Sequence, residues 1–194
     1  MYDPTMFMSL IENVDPAQRQ FLSMANQHKK LIVNCNPGPE ASRAAAAYML
    51  WTATSKPERT IVNLACSDWA AKEMIECIHQ MHGRLEPWGY SSPITKKNRH
   101  EIQFETGSRI LCRSTPYVFR GMAVSLFVWS DCAFGNFQRY EDGQEILDFY
   151  SPSLYLSRML LYSAESRAPS FFNGIWSQAK NGTNIMFQPL DLTE

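Results

Sequence analysis

The sequence lacks several features that would place it in a specialised class. No apolar run approaches the roughly 18 residues that span a bilayer, which argues against a membrane partner. The first segment, MYDPTMFMSLIENVDP, has no basic flank before an apolar block, so we expect no secretory signal. A net charge of −1 gives no global attraction to nucleic acid. These absences favour a cytoplasmic setting.

The cysteines form no CxxC pair, and their number is odd. There are five, widely spaced along the chain, at Cys35, Cys66, Cys77, Cys112 and Cys132. A disulfide framework or a structural zinc site needs paired or closely spaced thiols. We therefore predict reduced cysteines that mostly fill the core.

Composition and length indicate one folded domain over residues 1–194. Hydrophobic residues make up 45% of the chain and charged residues 19%, which argues against disorder. No internal repeat, low-complexity tract or linker divides the sequence. A chain of this length buries a three-layer core without disulfide or metal staples.

Strands and helices are predicted to alternate. Short apolar runs bounded by polar residues predict buried strands at Leu31–Cys35, Thr60–Cys66, Leu126–Trp129 and Met159–Tyr162. Capping residues and periodicity predict helices at Pro16–Gln27, after Asn36–Pro39, from Ser67-Asp68 to Gly83, through Gln144–Tyr150 and over Pro169–Lys180. Alternation around Glu105–Ser108 predicts an antiparallel hairpin, and a final strand is expected near Asn184–Gln188. This order predicts an α/β sandwich with a mixed sheet.

Two segments at strand ends carry the candidate chemistry. The segment Asn36–Ser42, NPGPEAS, stands between a strand and an Ala-rich helix, where a phosphate-binding loop would lie. The run Ser125–Phe134, SLFVWSDCAF, has the form of a buried strand that delivers a carboxylate, Asp131, to a nucleotide site. Simpler roles are an N-cap for Ser42 and a cap of a turn or of the next helix for Asp131.

The order and spacing of these motifs resemble the N-terminal ATPase domain of the large terminase subunit of tailed bacteriophages, a motor that pumps DNA into a prohead. The resemblance covers nearly the whole chain and rests on PAQRQFL, the NPGPEAS loop with its Ala-rich helix, Thr106-Gly107-Ser108, Arg120-Gly121, SLFVWSDCAF, and RMLLYSAES followed by FFNGIW. It implies a P-loop NTPase fold of the ASCE or RecA-like class. Such a fold is a three-layer sandwich with a mostly parallel central sheet and, here, an antiparallel hairpin.

The resemblance also implies a nucleotide site with ATP and Mg²⁺ as its cofactors. It places Gln18 at the adenine, and it places Gly38, Glu40, Ala41, Ser42 and Arg120 around the phosphates. Ser42, Ser130 and Asp131 would lie at the metal. Asp131 would also be the catalytic base, and Ser163 would belong to the coupling segment. Without the resemblance, Gln18 is an ordinary exposed polar residue of a helix.

The departures from the family pattern fall on the chemical residues. Glu40 and Ala41 stand at the family's glycine and lysine, and Pro37 and Pro39 each remove an N–H donor. Ser130 stands where the family has a metal-binding Asp, and it lacks the charge that Mg²⁺ prefers. Because these parts must act together in phosphoryl transfer, we expect ATPase activity to be weak or absent.

The leading interpretation is a degenerate homologue, a pseudo-ATPase with a structural or regulatory role in the packaging or assembly machinery. One alternative is a divergent but active packaging motor, in which a neighbouring subunit donates the missing cation. Another is a nucleotide-binding sensor without turnover. The family's RNase H-type nuclease domain has no counterpart in residues 1–194, so we expect no DNA cleavage by this chain.

The resemblance implies partners in the cytoplasm of the infected bacterial host. They are other phage packaging or assembly proteins, among them an active terminase subunit, and further copies of this chain. Contact with double-stranded DNA would fall on the basic cluster Lys96–His100, for which a solvated loop is the default interpretation.

Overall fold

The structure is a computed structural model that describes residues 3–89, 92–119, 121–135, 142–148, 157–184 and 186–193. Within these ranges, helices and strands alternate in the predicted order. None of the helices in these ranges is long and apolar enough to cross a membrane. The described cysteines are free, and Cys35, Cys112 and Cys132 are buried.

Six helices are described: α1 Pro4–Ser9, α2 Pro16–Gln27, α3 Pro39–Ser55, α4 Asp68–Leu85, α5 at 142–148 and α6 Phe171–Lys180. Short 3-10 turns lie at Glu86–Trp88 and Pro116–Phe119. Helix α2 begins as predicted, because the Asp15 carboxylate accepts a hydrogen bond of 2.8 Å from the backbone N–H of Gln18. The predicted end of α4 at Gly83 is wrong, because burial of Leu85 carries the helix further.

Eight strands form one sheet: β1 Lys30–Cys35, β2 Thr60–Leu64, β3 Ile94–Asn98, β4 Glu101–Phe104, β5 Arg109–Arg113, β6 Leu126–Ser130, β7 Arg158–Ser163 and β8 Gln188–Leu192. Their order in space is β3-β4-β5-β2-β6-β7-β1-β8. The strands from β5 to β8 in this order run parallel, whereas β3 and β4 pair antiparallel beside β5. The predicted mostly parallel sheet with an antiparallel hairpin is confirmed.

Two details of the sheet differ from the prediction. The predicted loop of the basic cluster is wrong for Lys96–Asn98, because residues Ile94–Asn98 form edge strand β3, with Lys96 paired to Glu101 and Lys97 paired to Glu76. Arg99 and His100 lie in the turn after this strand. The last strand lies four residues later than expected, at Gln188–Leu192, where Leu190 is buried.

The core lies on both faces of the sheet, which gives the three layers. Side chains alternate along each strand, so Leu31 and Val33 of β1 pack with α1 to α4 on one face, and Ile32 packs with α6 on the other. On the second face, the rings of Trp129 and Phe171 stack with centroids 5.2 Å apart.

The parallel strands give the sheet two opposite ends. We call the edge where β1, β6 and β7 end the carboxyl edge, and the edge where β1, β2, β6 and β7 begin the amino edge. In open parallel α/β sheets, ligands bind outside the carboxyl ends of the strands. The carboxyl edge is therefore the expected place of a ligand site.

Candidate functional site

The carboxyl edge brings most of the predicted site residues together. Strands β6, β7 and β1 are neighbours, and their register places Ser130 opposite Tyr162 and Asn34 opposite Ser163. Helix α3 begins directly after β1 and projects its first turn toward these strand ends. Arg120 lies outside the described residues.

The loop between β1 and α3 differs from the predicted arrangement in its helix cap. Helix α3 begins at Pro39 with Gly38 as its N-cap, and no side chain caps it. The predicted N-cap role of Ser42 is therefore wrong, because proline suits the first helical position and starts the helix earlier. Ser42 lies in the first turn, where its Oγ accepts a hydrogen bond from the Tyr162 hydroxyl at 3.2 Å.

The Glu40 carboxylate folds back against the loop. A Cβ atom placed on Gly38 would overlap Oε2 of Glu40, so this oxygen lies directly beside the Gly38 backbone. Glu40 belongs to the first turn of α3, where the helix dipole favours negative charge. The amino end of α3, a natural anion site, thus has a carboxylate of its own chain beside it.

Three hydroxyl groups meet at the predicted metal position. The Tyr162 hydroxyl donates to Ser42, and Ser130, which lies opposite Tyr162 in the strand register, donates its Oγ proton to the Leu64 carbonyl at 3.3 Å. Burial, followed by the charge of Asp131, raises the pKa of the Tyr162 phenol well above its ordinary value. This group of donors and acceptors is therefore neutral.

Asp131 directly follows β6 in a turn. Its backbone adopts φ 51°, a left-handed conformation that aspartate tolerates better than most residues. Its carbonyl accepts a hydrogen bond of 2.9 Å from the N–H of Phe134, and burial raises the pKa of its carboxyl group. Burial and the charges of Asp131 and Glu40 raise the pKa of the Cys35 thiol to about 12. The carboxylates of Asp131 and Glu40 thus both lie close enough to the end of β1 to affect the pKa of Cys35.

A cleft of about 310 Å³ lies beside the loop. Its lining residues are Ala17, Gln18, Phe21, Cys35, Asn36, Glu40, Ala41 and Leu192. Neither lysine nor arginine is among these described residues. The cleft unites three predicted site residues, Gln18, Glu40 and Ala41.

Gln18 is a buried residue, so its interpretation as an ordinary exposed polar residue is wrong. Its Oε1 accepts from the backbone N–H of Asp15 at 3.2 Å, and its Nε2 donates to the Glu40 carbonyl at 3.5 Å. The side chain therefore connects α2 to the first turn of α3.

Ser163, the predicted coupling residue, is fully buried at the end of β7. Its Oγ accepts a hydrogen bond of 3.2 Å from the backbone N–H of Ala133. This contact ties the end of β7 to the turn after β6, which is the turn that presents Asp131.

Sequence reasoning missed Tyr162 and Cys35 as members of this site. Both lie at the ends of apolar runs, and their approach to Ser42 and Asp131 depends on the parallel register of β1, β6 and β7. The apolar runs of the sequence predict where β1, β6 and β7 end, but only the register of these strands shows which side chains meet there.

No protein-family model and no curated protein matches this sequence. Solved structures do match. The chain is similar to the large terminase ATPase domain of Thermus phage P74-26, with 13% identity and a TM-score of 0.78 over 99% of this chain and 86% of that one. It is similar to the large terminase of bacteriophage HK97, with 11% identity and a TM-score of 0.75 over 100% of this chain and 44% of that one.

A third similar structure is the large terminase of a thermophilic bacteriophage in complex with ADP. Its identity is 11% and its TM-score 0.64, over 93% of this chain and 46% of that one. The chain therefore spans less than half of the HK97 terminase and of this third terminase. The resemblance inferred from the motifs is confirmed at the level of structure: this chain has the fold of a phage large terminase ATPase domain.

Proposed function

We propose that this chain is a degenerate terminase-type ATPase domain that serves a structural or regulatory role in phage DNA packaging or assembly. Its partners would be other packaging or assembly proteins in the cytoplasm of the infected bacterium. The fold supports a packaging-motor-like role. The main support for a loss of catalysis is that the Glu40 carboxylate lies against Gly38 at the amino end of α3.

A missing cation and an added carboxylate both weaken phosphate binding at this loop. A triphosphate at this loop would meet the Glu40 carboxylate where the family supplies an ammonium group. A charge-assisted hydrogen bond contributes about 1.5–3 kcal/mol, and that contribution is lost. Glu40 is exposed, so solvent screens its repulsion of the phosphates, which adds about 1 kcal/mol or less. Together these effects weaken phosphate binding by about 10- to 1,000-fold.

The predicted metal position also supports weak or absent ATPase activity. Mg²⁺ prefers carboxylates, phosphates and water in octahedral geometry. The groups that meet here are the neutral hydroxyls of Ser42, Tyr162 and Ser130, with Asp131 as the nearby carboxylate. Burial raises the pKa of Asp131 and so disfavours its charged form. These residues do not fit a magnesium-bound triphosphate, and we assign no hydrolytic step to them.

A second candidate is a nucleotide sensor without turnover. It is favoured by the cleft beside the loop, whose volume of about 310 Å³ and whose Gln18 and Phe21 side chains suit a heterocyclic base. Such a ligand would have to place its phosphates away from Glu40.

The test combines phosphate release from ATP and Mg²⁺ with the NMR signal of the Gln18 side-chain amide. We expect neither release nor movement of that signal for the wild-type chain. Sustained release that Asp131→Asn abolishes would establish the active-motor alternative instead. A shift of the Gln18 amide without release would establish the sensor.

A further inference from the structure

The amino edge of the sheet holds a second cleft, of about 430 Å³. It lies where α2 and α3 end and where β2, β6 and β7 begin. Four of its lining residues are cations, Lys29, Lys56, Arg59 and Arg158. No carboxylate is among the described residues that line it. We call it the basic cleft.

Arg158 is held in the cleft by the end of α2. Its Nη1 donates to the carbonyl oxygens of Ala25, Asn26 and His28 at 3.0, 3.1 and 3.1 Å. These are carbonyls that the helix itself leaves without partners. Arg158 therefore stabilises the helix end and fixes one positive charge in the cleft.

The helix ends do not neutralise the remaining cations. The carboxyl ends of α2 and α3 each carry a partial charge of about −0.5, so together they offset about one of the four cations. None of the ion pairs in the described part of the chain involves Lys29, Lys56 or Arg59. The nearest acid in sequence, Glu58, packs its side chain beside Gly107 instead.

One polar side chain of the cleft lacks a partner. The Oγ atom of Ser55, which lines the cleft, is buried and has no hydrogen-bond partner. A rotation of the Ser55 side chain would let this hydroxyl donate to an anionic oxygen in the cleft.

The cleft also has an aromatic wall. The rings of Tyr48 and Trp51 are stacked, with centroids 5.6 Å apart and an angle of 23° between their planes. Lysine and arginine beside an aromatic surface are the combination that binds the phosphates and bases of nucleotides. The volume lies within the range of small-molecule sites, about 300–1,000 Å³.

We propose that the basic cleft binds a phosphate-bearing ligand of nucleotide size, supplied either as a free nucleoside phosphate or as part of a single-stranded nucleic acid. Lys29, Lys56 and Arg59 contact the phosphate groups, and the ring of Trp51 lies beside the base. This inference rests on the amino edge alone and does not depend on the proposed loss of ATPase activity at the carboxyl edge.

The test measures fluorescence anisotropy of a labelled oligothymidylate, with competition by ADP without metal, by pyrophosphate and by polyglutamate. The cleft variant is Lys56→Glu with Arg59→Glu. Its matched control is Arg19→Glu with Arg167→Glu, which changes the net charge equally at two exposed arginines outside the cleft and outside the basic cluster Lys96–His100.

We expect the cleft variant to bind at least about tenfold more weakly and the control to stay within about twofold of the wild type. The slope of log K against log salt should become shallower by about 1.4 in the cleft variant, since each lost phosphate contact on a single strand is worth about 0.7. Stronger binding of the oligonucleotide than of ADP identifies a nucleic acid as the ligand, and the reverse identifies a free nucleotide.

Three results would overturn the proposal: equal loss in the control variant, displacement by polyglutamate as effective as by pyrophosphate, or binding of neither the oligonucleotide nor ADP at low salt. If the charge reversals prevent folding, Lys56→Gln with Arg59→Gln gives the same test with a smaller perturbation. Asp131→Asn should leave this binding unchanged. Failure here is thus distinguishable from failure at the carboxyl edge, which is reported by the Gln18 amide.

Discussion

The two edges of the sheet have opposite charge. At the carboxyl edge, Glu40 and Asp131 lie near the end of β1, and no lysine or arginine is among the described residues that line the cleft. At the amino edge, four cations line a cleft without a described carboxylate. In a working P-loop protein the first edge is the one that attracts phosphate. Here the charges favour the second.

The hydrogen bonds do not follow this difference. Both edges contain satisfied groups, as in the bonds from Tyr162 to Ser42 and from Arg158 to the Ala25 carbonyl. Both also contain a buried atom without a partner, Asn34 Oδ1 at the carboxyl edge and Ser55 Oγ at the amino edge. The edges therefore differ in charge, while the fold is maintained by apolar alternation and helix capping.

The largest expected effect is at the amino edge, in Arg158→Met. The substitution leaves three backbone carbonyls at the end of α2 without their cationic donor. We expect a loss of about 2–3 kcal/mol in the free energy of unfolding, measured with urea. Arg158→Lys serves as the control and should recover part of the loss. A loss below about 0.5 kcal/mol for the Met variant would mean that Arg158 is not a structural part of this edge.

At the carboxyl edge, Glu40→Gly with Ala41→Lys should partly restore phosphate binding. The pair removes a repelling carboxylate and supplies an ammonium group at a position that lines the cleft. We expect pyrophosphate to bind about 10- to 100-fold more tightly, equivalent to about 1.5–3 kcal/mol. Calorimetric titration in the Lys56→Glu, Arg59→Glu background excludes binding at the other edge. Unchanged affinity would show that Glu40 is not what prevents phosphate binding.

A matched pair of tyrosine substitutions compares the two edges directly. Tyr162→Phe removes the bond to Ser42, and Tyr48→Phe removes a bond of 2.8 Å to the Ala25 carbonyl near the amino edge. Each should cost about 1 kcal/mol in urea unfolding, because each deletes one buried hydrogen bond. Tyr162→Phe should leave the effect of ATP and Mg²⁺ on stability the same as in the wild type, because Tyr162 lies outside the basic cleft. A nucleotide-dependent stabilisation that Tyr162→Phe alone abolishes would contradict the structural role of this hydroxyl.

The smallest effect is the pH dependence of Asp131→Asn. Burial raises the pKa of Asp131 above its ordinary value of 3.8, so the carboxyl favours folding when protonated and opposes it as pH rises through the raised pKa. The Asn variant should therefore be more stable than the wild type at pH 7, by about 1 kcal/mol or less, and equal to it near pH 3.

Asparagine also tolerates the left-handed backbone, which makes this substitution a clean control of the charge. Urea unfolding at pH 3, 5 and 7 measures the difference. A variant that is less stable at pH 7 would indicate that the Asp131 carboxylate has a stabilising partner, as a working site requires.

The fold was largely predictable because its signals are local. Asp15 and Gln18 form a capping box within four residues of sequence, and the apolar runs of β1, β2, β6 and β7 are bounded by polar residues. Strand β3 was missed because its exposed lysines show no alternation, and its ion pair from Lys97 reaches Glu76 on α4. That contact depends on tertiary structure.

The sites were less predictable than the fold. The residue types at the carboxyl edge identified Glu40 and Ser130 as departures, but the contact of Tyr162 with Ser42 needed the register between β6 and β7. The basic cleft could not be foreseen, because its cations come from positions as distant as Lys29 and Arg158. Only the parallel topology brings them to one edge.

The most direct test of whether phosphate binds at the amino edge and not at the carboxyl edge is a crystal soaked with a non-hydrolysable ATP analogue and Mg²⁺. We predict phosphorus density beside Lys56 and Arg59 in the basic cleft, and none against residues Gly38–Ser42. Phosphates resting on the amino end of α3, with a magnesium ion bound between Ser42 and Asp131, would contradict the account.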